Sequence, residues 1–196
     1  MKLLINTSNL YVGGGVQVAL SFINELKNID KYNEYHIFLS PVVNKQLNSD
    51  EFGDNFKFYL IEKSPSSLKN RYQIVKKLNY LENKIKPDIV FSVFGPSYWR
   101  PKAKHLMGFA DGWVYNPKTI AFNKLSLKQR IKNKLIISVK KYFIKKDADF
   151  FVLETNDAKK KFSKYLKINE DNVFVVGNTY SSICITNNKN IIFIYF

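Results

Sequence analysis

The fold is decided by the stretch Lys2-Leu3-Leu4-Ile5-Asn6, then Gly13-Gly14-Gly15, then Val16-Gln17-Val18-Ala19-Leu20-Ser21-Phe22-Ile23. The short apolar run predicts a buried strand, and the glycines predict a turn. Val16, Leu20 and Ile23 have the i, i+4, i+7 spacing of an amphipathic helix. Strand, turn and helix form the first half of a βαβ unit. The unpaired N–H groups and positive dipole end of such a helix favour an anion or a polar ligand there.

The same alternation continues along the chain. Six further strands are predicted at residues 35–39, 56–61, 88–93, 105–109, 149–153 and 172–176, and helical spacing recurs at 68–85, 126–145 and 157–166. Strands separated by helices favour an α/β fold, a Rossmann-like doubly wound parallel sheet. We expect a single domain over residues 1–180. Residues 181–196 leave the pattern and end in a bare apolar run, either a last strand or a truncated or frame-shifted end.

Composition and charge narrow the function classes. The net charge of +15 favours a polyanionic neighbour, such as an anionic membrane, a phosphorylated substrate or nucleic acid. The single cysteine excludes a Cys-based zinc site and an internal disulfide. The sequence has no metal-ligand spacing, so no metal is expected, and no recognised nucleic-acid motif. Neither a signal peptide nor a membrane-spanning run is present, which predicts a cytoplasmic protein, soluble or peripheral on the membrane.

Polar, glycine-bearing and aromatic loops follow the predicted strands, at the edge where parallel sheets bind ligands. The glycine turn lacks the G-x-G-x-x-G fingerprint, so no dinucleotide cofactor is expected. Asp111 is a candidate general base or hydroxyl-binding carboxylate, with a turn aspartate as the alternative. The aromatic residues of these loops either stack on sugar rings or pack the loops down. The candidate substrate-binding residues are Gly13, Gly14, Gly15, Gln17, Tyr98, Trp99, Trp113 and Asn178.

Much of the positive charge lies in one segment. Residues 118–146 contain ten lysines and arginines and no acidic residue. Leu127, Ile131 and Leu135 follow one another at helical spacing, and Ile136, Val139 and Phe143 extend the same apolar face. A basic amphipathic helix of this kind is typical of membrane-surface binding. The alternative is a helix that covers the sheet with its lysines in solvent. The candidate membrane-binding residues are Lys128, Arg130, Lys132, Lys134, Lys140 and Lys141.

Four segments together resemble the N-terminal domain of a GT-B glycosyltransferase of the family 4 retaining type, which builds O-antigen, capsule and other bacterial surface polysaccharides. These segments are residues 13–22, 94–99, 108–113 and 175–178, and the likeness extends to about Tyr180. Two positions differ from the family pattern. Ala110 stands where many members have histidine, and Gly177-Asn178-Thr179 stands where Pro-Asn-Gly is common.

The resemblance implies two Rossmann-like domains that face each other across a cleft. The N-terminal domain mainly holds the acceptor, a glycan or a lipid-linked sugar, while the C-terminal domain binds the nucleotide sugar and carries an E-x7-E motif. It also implies donor-facing positions at Gly14 and Gly15, an acceptor-facing Asp111, and docking on the inner face of the cytoplasmic membrane. This chain has no E-x7-E motif, and we expect no sugar transfer without a separate C-terminal chain. A split-gene product, a truncated remnant and half of a two-chain enzyme remain open, as does a non-catalytic basic module that binds membrane or another polyanion.

Overall fold

A computed structural model describes residues 1–29, 32–117, 119 and 124–177. These residues build one sheet of seven parallel strands in the order β3-β2-β1-β4-β5-β6-β7. The prediction of a doubly wound, Rossmann-like α/β fold is therefore confirmed. The strands are β1 Lys2–Asn6, β2 Glu34–Leu39, β3 Phe56–Leu60, β4 Ile89–Ser92, β5 Lys104–Gly108, β6 Phe150–Leu153 and β7 Val173–Val175. Asn178 and the predicted tail at 181–196 lie outside the described residues.

Helices connect most of the strands. They are α1 Gly14–Ile29, α2 Pro41–Gln46, α3 Arg71–Ile85, α4 Gly112–Tyr115, α5 Leu127–Asp147 and α6 Asn156–Leu166. The sequence pattern did not predict the short helices α2 and α4, each of which is capped at its first turn by a polar side chain, Ser40 and Asp111 respectively. Ser126 begins α5 with a reciprocal capping box to Gln129, which satisfies two donors at that helix start.

The two faces of the sheet hold different helices. On the first face, α1 buries Val16, Ala19 and Ile23 against Ile5 and Ile37 of the central strands. On the second face, α3 packs its Ile74 and Leu78 near Leu4, Phe38 and Val90. Helix α6 covers the second face further along, where Ala158, Phe162 and Leu166 bury Met107, Phe151 and Leu153. The strand order reverses between β1 and β4. In doubly wound sheets, ligands usually bind outside the carboxyl ends of the strands at such a point.

A buried polar chain crosses the centre of the sheet on the second face. Asn6 Nδ2 donates to Ser92 Oγ at 3.0 Å, and Ser92 Oγ lies 2.8 Å from His105 Nε2. His105 Nδ1 faces the backbone carbonyl of Asp147 at the end of α5. Burial of the imidazole lowers the pKa of His105 to about 4. His105 is thus a neutral structural histidine that links β1, β4, β5 and α5.

The packing of α5 bears on the alternative in which its predicted apolar face covers the sheet. Its side chains buried against the sheet are Ile137, Ile144 and Asp147. The predicted apolar face instead lies in solvent, because Leu127 is 74%, Ile131 62% and Leu135 67% exposed. The apolar residues of α5 point in several directions, so helical spacing alone did not identify the stripe that meets the sheet.

Candidate ligand-binding edge

Asn9 joins the loops after β1 and β4 at the carboxyl edge of the sheet. Its Nδ2 group donates to the carbonyl of Phe94 at 2.7 Å and to that of Pro96 at 3.0 Å. The peptide bond between Gly95 and Pro96 is cis. Sequence reasoning did not select Asn9, because its partners lie 85 and 87 residues away. A polar turn directly after the first strand was the only local signal.

The loops after β4 and β5 approach each other closely. The Gly95 N–H donates to the Gly108 carbonyl at 2.8 Å. A Cβ atom built on Gly108 would lie 2.1 Å from the Val93 carbonyl oxygen, a distance that no side chain can occupy. Glycine at position 108 therefore allows the backbone contact that holds these two loops together.

The glycine turn enters α1 at the same edge. Gly13 is exposed and has φ +76°, the left-handed conformation that favours glycine. Gly14 is the first residue of α1. A Cβ atom on Gly15 would approach Phe94 Cδ2 at 3.2 Å, so Gly15 packs closely against the loop after β4. Gln17 is exposed, and its amide donates to Gln46 Oε1 of α2 at 3.3 Å.

Asp111 combines two structural contacts. Its Oδ1 atom accepts a hydrogen bond from the Trp113 N–H at 3.1 Å and caps α4. Its Oδ2 atom lies 2.6 Å from Lys140 Nζ of α5. The carboxylate is half-buried, and the Trp113 side chain beside it is 38% exposed. The loop after β5 therefore carries a carboxylate paired with an ammonium group and, two residues further along the chain, a partly exposed tryptophan.

Trp99 corrects the predicted set of sugar-stacking residues. Its side chain is 0% exposed, packs beside Phe38 in the core of the second face, and donates from Nε1 to Asn79 Oδ1 at 2.8 Å. A ring that is enclosed in this way cannot stack on a ligand. Tyr98 is half-buried with its ring 5.1 Å from that of Phe143 in α5, and burial raises the pKa of its phenol. Both residues therefore pack the loop down.

The basic residues of α5 have different surroundings. Lys128, Lys132 and Lys134 are exposed on the first half of the helix. Arg130 Nε donates to the Leu125 carbonyl at 3.0 Å, and Lys140 pairs with Asp111. Lys141 Nζ lies 3.4 Å from the ring centroid of Tyr165. In the described part of the chain, no helix is long and apolar enough to cross a membrane.

The two histidines and the acidic residues form no metal-binding cluster among the described residues. His36 lies 3.0 Å from both Tyr59 Oη and Glu34 Oε1 near the start of β2. Burial lowers the pKa of His36. Like His105, it is held within the sheet by hydrogen-bonding groups.

No family model and no curated protein matches the sequence. Solved structures do match the fold. Anabaena Alr3699/HepE, crystallised with UDP-glucose, superposes with a TM-score of 0.54 at 9% identity, over 92% of this chain and 44% of that protein. A glycosyltransferase from Rickettsia africae superposes with a TM-score of 0.51 at 16% identity, over 90% of this chain and 42% of that protein. UDP-GlcNAc 2-epimerase from Methanocaldococcus jannaschii superposes with a TM-score of 0.50 at 13% identity, over 91% of this chain and 46% of that protein.

The chain has the fold of one GT-B domain. It spans about half the length of the structures that it matches. The GT-B neighbours include both sugar transferases and a sugar-nucleotide epimerase. This GT-B domain therefore shares its architecture with two enzyme classes, and the fold alone does not select a reaction.

Proposed function

We propose that the chain is the acceptor-side half of a nucleotide-sugar-dependent glycosyltransferase of surface-polysaccharide or O-antigen biosynthesis. The observation that carries this proposal is the half-length GT-B fold, with an accessible indole and a carboxylate at the carboxyl edge of its sheet. The Anabaena structure with UDP-glucose matches this chain over 44% of its length, so more than half of that protein lies outside the matched part. In this proposal the nucleotide sugar is a substrate that a separate donor-binding chain mainly holds.

The acceptor is a glycan or a lipid-linked sugar bound beside Asp111 and Trp113. Trp113 supplies an apolar ring face for the C–H groups of a sugar. Asp111 accepts hydrogen bonds from sugar hydroxyl groups, with Lys140 keeping the carboxylate oriented. Of the two donor-facing positions that the resemblance implies, Gly14 begins α1 and leaves room for the donor, whereas Gly15 packs closely against Phe94. Gly13, before them, has open space around it. Trp99 is excluded from this site by its burial.

The membrane part of the proposal rests on α5. Its exposed apolar residues Leu127, Ile131 and Leu135 lie on the same two turns as the exposed Lys128, Lys132 and Lys134. The apolar side chains can enter the headgroup region while the lysines contact anionic lipid phosphates. Each lysine near the membrane surface contributes about 1 kcal/mol to binding. This geometry supports contact with an anionic membrane surface, and the inner face of the cytoplasmic membrane is the location that we propose for it.

Vesicle binding tests the membrane part. The full chain is expected to co-sediment with vesicles that contain phosphatidylglycerol and to lose most of this binding at high salt. Replacing Leu127, Ile131 and Leu135 with serine should reduce binding, whereas Leu68→Ser, at an exposed leucine outside α5, should not. If the triple serine variant of α5 and Leu68→Ser bind vesicles equally well, α5 is not the membrane-binding surface.

Equilibrium binding of a polyprenyl-pyrophosphate disaccharide in nanodiscs tests the acceptor part. We expect saturable binding that Trp113→Ala weakens at least roughly tenfold. Tyr80→Ala, at an exposed aromatic residue of α3, is the matched control. If sugar-bearing and sugar-free discs bind equally, the non-catalytic membrane-binding module is the better function.

A further inference from the structure

The carboxylate of Glu154 lies at the same edge of the sheet as Asp111. Glu154 follows the last residue of β6 directly and is half-buried. Two other carboxylates of this edge are neutralised, because Asp111 pairs with Lys140 and Asp157 pairs with Lys161, each at 2.6 Å. Within the described part of the chain, no hydrogen bond or ion pair involves the Glu154 carboxylate. Of these three carboxylates, only that of Glu154 keeps an uncompensated charge.

The neighbours of Glu154 in the sheet offer its carboxylate no hydrogen bond. The register of β5 and β6, continued by two residues, places Ala110 beside Glu154. On the β7 side, the Val176 N–H donates to the Leu153 carbonyl at 2.9 Å, which brings Val176 next to Glu154. Ala110 and Val176 are both exposed, and neither has a polar side chain. Solvent or a bound molecule can therefore reach Glu154 and supply the hydrogen-bond donor.

A phenol lies near this carboxylate. The Tyr115 ring packs against Phe109 and Phe162, and its Oη atom would lie 3.9 Å from a Cβ atom on Gly112. Burial raises the pKa of the Tyr115 phenol, and the charge of Glu154 nearby raises it further. The phenol thus stays protonated and can donate a hydrogen bond, whereas the carboxylate only accepts. A sugar with neighbouring hydroxyl groups can accept from the phenol and donate to the carboxylate.

We propose that Glu154 determines the charge of the terminal sugar that the acceptor site takes, so that neutral sugars bind and sugars with a carboxylate or a phosphate are excluded. The inference rests on the proposed function, because it concerns the acceptor site beside Asp111 and Trp113. Glu154 accepts a hydrogen bond from a sugar hydroxyl group and repels an anionic group in the same place. Lys140 does not offset this repulsion, because it is paired with Asp111.

This selectivity runs against the overall charge of the chain. The net charge of +15 by itself favours an acidic sugar over a neutral one. A preference for the neutral sugar would consequently report on the local charge of Glu154 rather than on the protein as a whole.

Two acceptors that differ in one chemical group test the selectivity. The probes are polyprenyl-pyrophosphate disaccharides in nanodiscs, with either glucose or glucuronic acid as the terminal sugar, so that only C6 changes from a hydroxymethyl group to a carboxylate. Sugar-free discs of the same lipids measure binding to the membrane alone. Equilibrium binding is measured with the full-length chain, with Glu154→Gln and with Glu170→Gln. Glu170 is exposed and precedes β7, at the opposite edge of the sheet, so it serves as the matched control.

The wild-type chain should bind the glucose disc at least roughly tenfold more tightly than the glucuronic acid disc. Glu154→Gln removes the charge and keeps the shape, so it should reduce this ratio to about threefold or less by tightening the binding of glucuronic acid. Glu170→Gln should keep the wild-type ratio. A purely structural role of Glu154 at the start of α6 would change stability and leave the ratio intact.

Salt provides a second reading that needs no variant, so the test stays decisive if Glu154→Gln does not fold. Screening weakens the repulsion, and the ratio should fall as the salt concentration rises from about 0.05 M to about 0.5 M. A ratio that salt does not change would contradict an electrostatic origin and overturn the inference.

The inference and the proposed function fail in different ways. Equal binding of the two sugars by the wild-type chain, a preference for glucuronic acid, or an unchanged ratio in Glu154→Gln would overturn the inference and leave acceptor binding in place. If sugar-bearing discs bind no better than sugar-free discs, the proposed acceptor function is wrong, and the inference falls with it.

Discussion

Lys140 Nζ lies 2.6 Å from Asp111 Oδ2, in an ion pair that joins the basic helix α5 to the loop after β5. The same carboxylate caps α4 through the Trp113 N–H. The helix proposed to meet the membrane is therefore tied directly to the loop proposed to bind the acceptor. A displacement of α5 at a membrane surface would be transmitted to Asp111 through this contact.

Removal of the ion pair has a small, salt-dependent effect on stability. Lys140→Met should lower the free energy of unfolding by about 1 kcal/mol or less, because the pair is partly solvated. Asp111→Ala should cost about 1 kcal/mol more, since it also removes the α4 cap. Urea denaturation at low and high salt measures both. A double-mutant cycle with no coupling between positions 111 and 140 would contradict the observed contact.

Asp147 should make the chain less stable at neutral pH. Burial raises the pKa of Asp147 to about 6, although Arg71, Lys146 and Arg100 oppose the shift. The folded chain holds this proton more tightly than the unfolded chain, so stability falls as pH rises from about 4 to about 6. Asp147→Asn should therefore raise the unfolding free energy at pH 7 by about 1–3 kcal/mol. The gain should vanish near pH 4 in urea titrations at several pH values, and an equal gain at both values would refute the assignment.

The titration of His105 changes the free energy of unfolding with pH in the opposite direction to that of Asp147. Its folded-state pKa of about 4 is below its usual value of 6.5. The unfolded chain binds this proton first, so the stability that neutral His105 provides is present above pH 6.5 and is lost as pH falls towards 4. In wild type, the stability lost through His105 as pH falls is partly offset by the stability gained through Asp147. The Asp147→Asn variant should consequently lose stability more steeply than wild type between pH 6 and pH 4. Parallel pH profiles of the two proteins would contradict the Asp147 assignment, and a variant whose stability does not fall over this range would contradict the His105 assignment.

Alanine substitutions at the two tryptophans should lower the free energy of unfolding by very different amounts, because only Trp99 lies in the core. Trp99→Ala should cost about 3–5 kcal/mol, because it empties a core site and leaves Asn79 without its indole donor. Trp113→Ala should cost about 1 kcal/mol or less, as expected for a partly exposed side chain. Thermal and urea unfolding of the two variants measure the contrast. Equal destabilisation would place Trp113 in the core and remove it from the acceptor site.

The close contact between the loops after β4 and β5 predicts that Gly108→Ala destabilises the chain more than Gly15→Ala does. Gly108→Ala would place a methyl group 2.1 Å from the Val93 carbonyl oxygen, so the backbone must move, and a loss of about 3 kcal/mol is expected. The methyl group of Gly15→Ala would lie 3.2 Å from the Phe94 ring and 3.5 Å from Leu10 Cδ2, and both are side-chain atoms that can adjust. Its cost should be about 1 kcal/mol or less, because alanine also favours the helix. A Gly15→Ala variant less stable than Gly108→Ala would contradict this geometry.

Much of the architecture could be predicted from sequence alone. Each strand lies within one or two residues of its predicted range, because parallel strands buried on both faces leave short apolar runs between helices. The network from Asn6 through Ser92 to His105 could not be predicted, because it depends on which strands are neighbours rather than on local pattern. The same limit explains why Asn9 was missed.

The site was predicted less completely than the fold. The sequence places Asp111 and Trp113 just after a predicted strand, whereas the Lys140 partner of Asp111 lies 29 residues away on a different element. Trp99 was selected because it lies in a loop, yet that loop folds over the second face and buries the indole. The sequence also could not show which face of the sheet Leu106, Phe150, Val152 and Phe174 lie on, because that depends on the strand register.

The most direct test of the central claim is a fluorescence titration of Trp113 in the full-length chain. The sequence holds two tryptophans, and Trp99 is buried, so changes on ligand binding report mainly on Trp113. If this chain is the acceptor-side half, a polyprenyl-pyrophosphate disaccharide in nanodiscs changes the emission saturably, while UDP-glucose alone has little effect. The Trp113→Phe variant should abolish the signal. A saturable response to UDP-glucose with none to the lipid-linked sugar would contradict the assignment of this chain as the acceptor-side half.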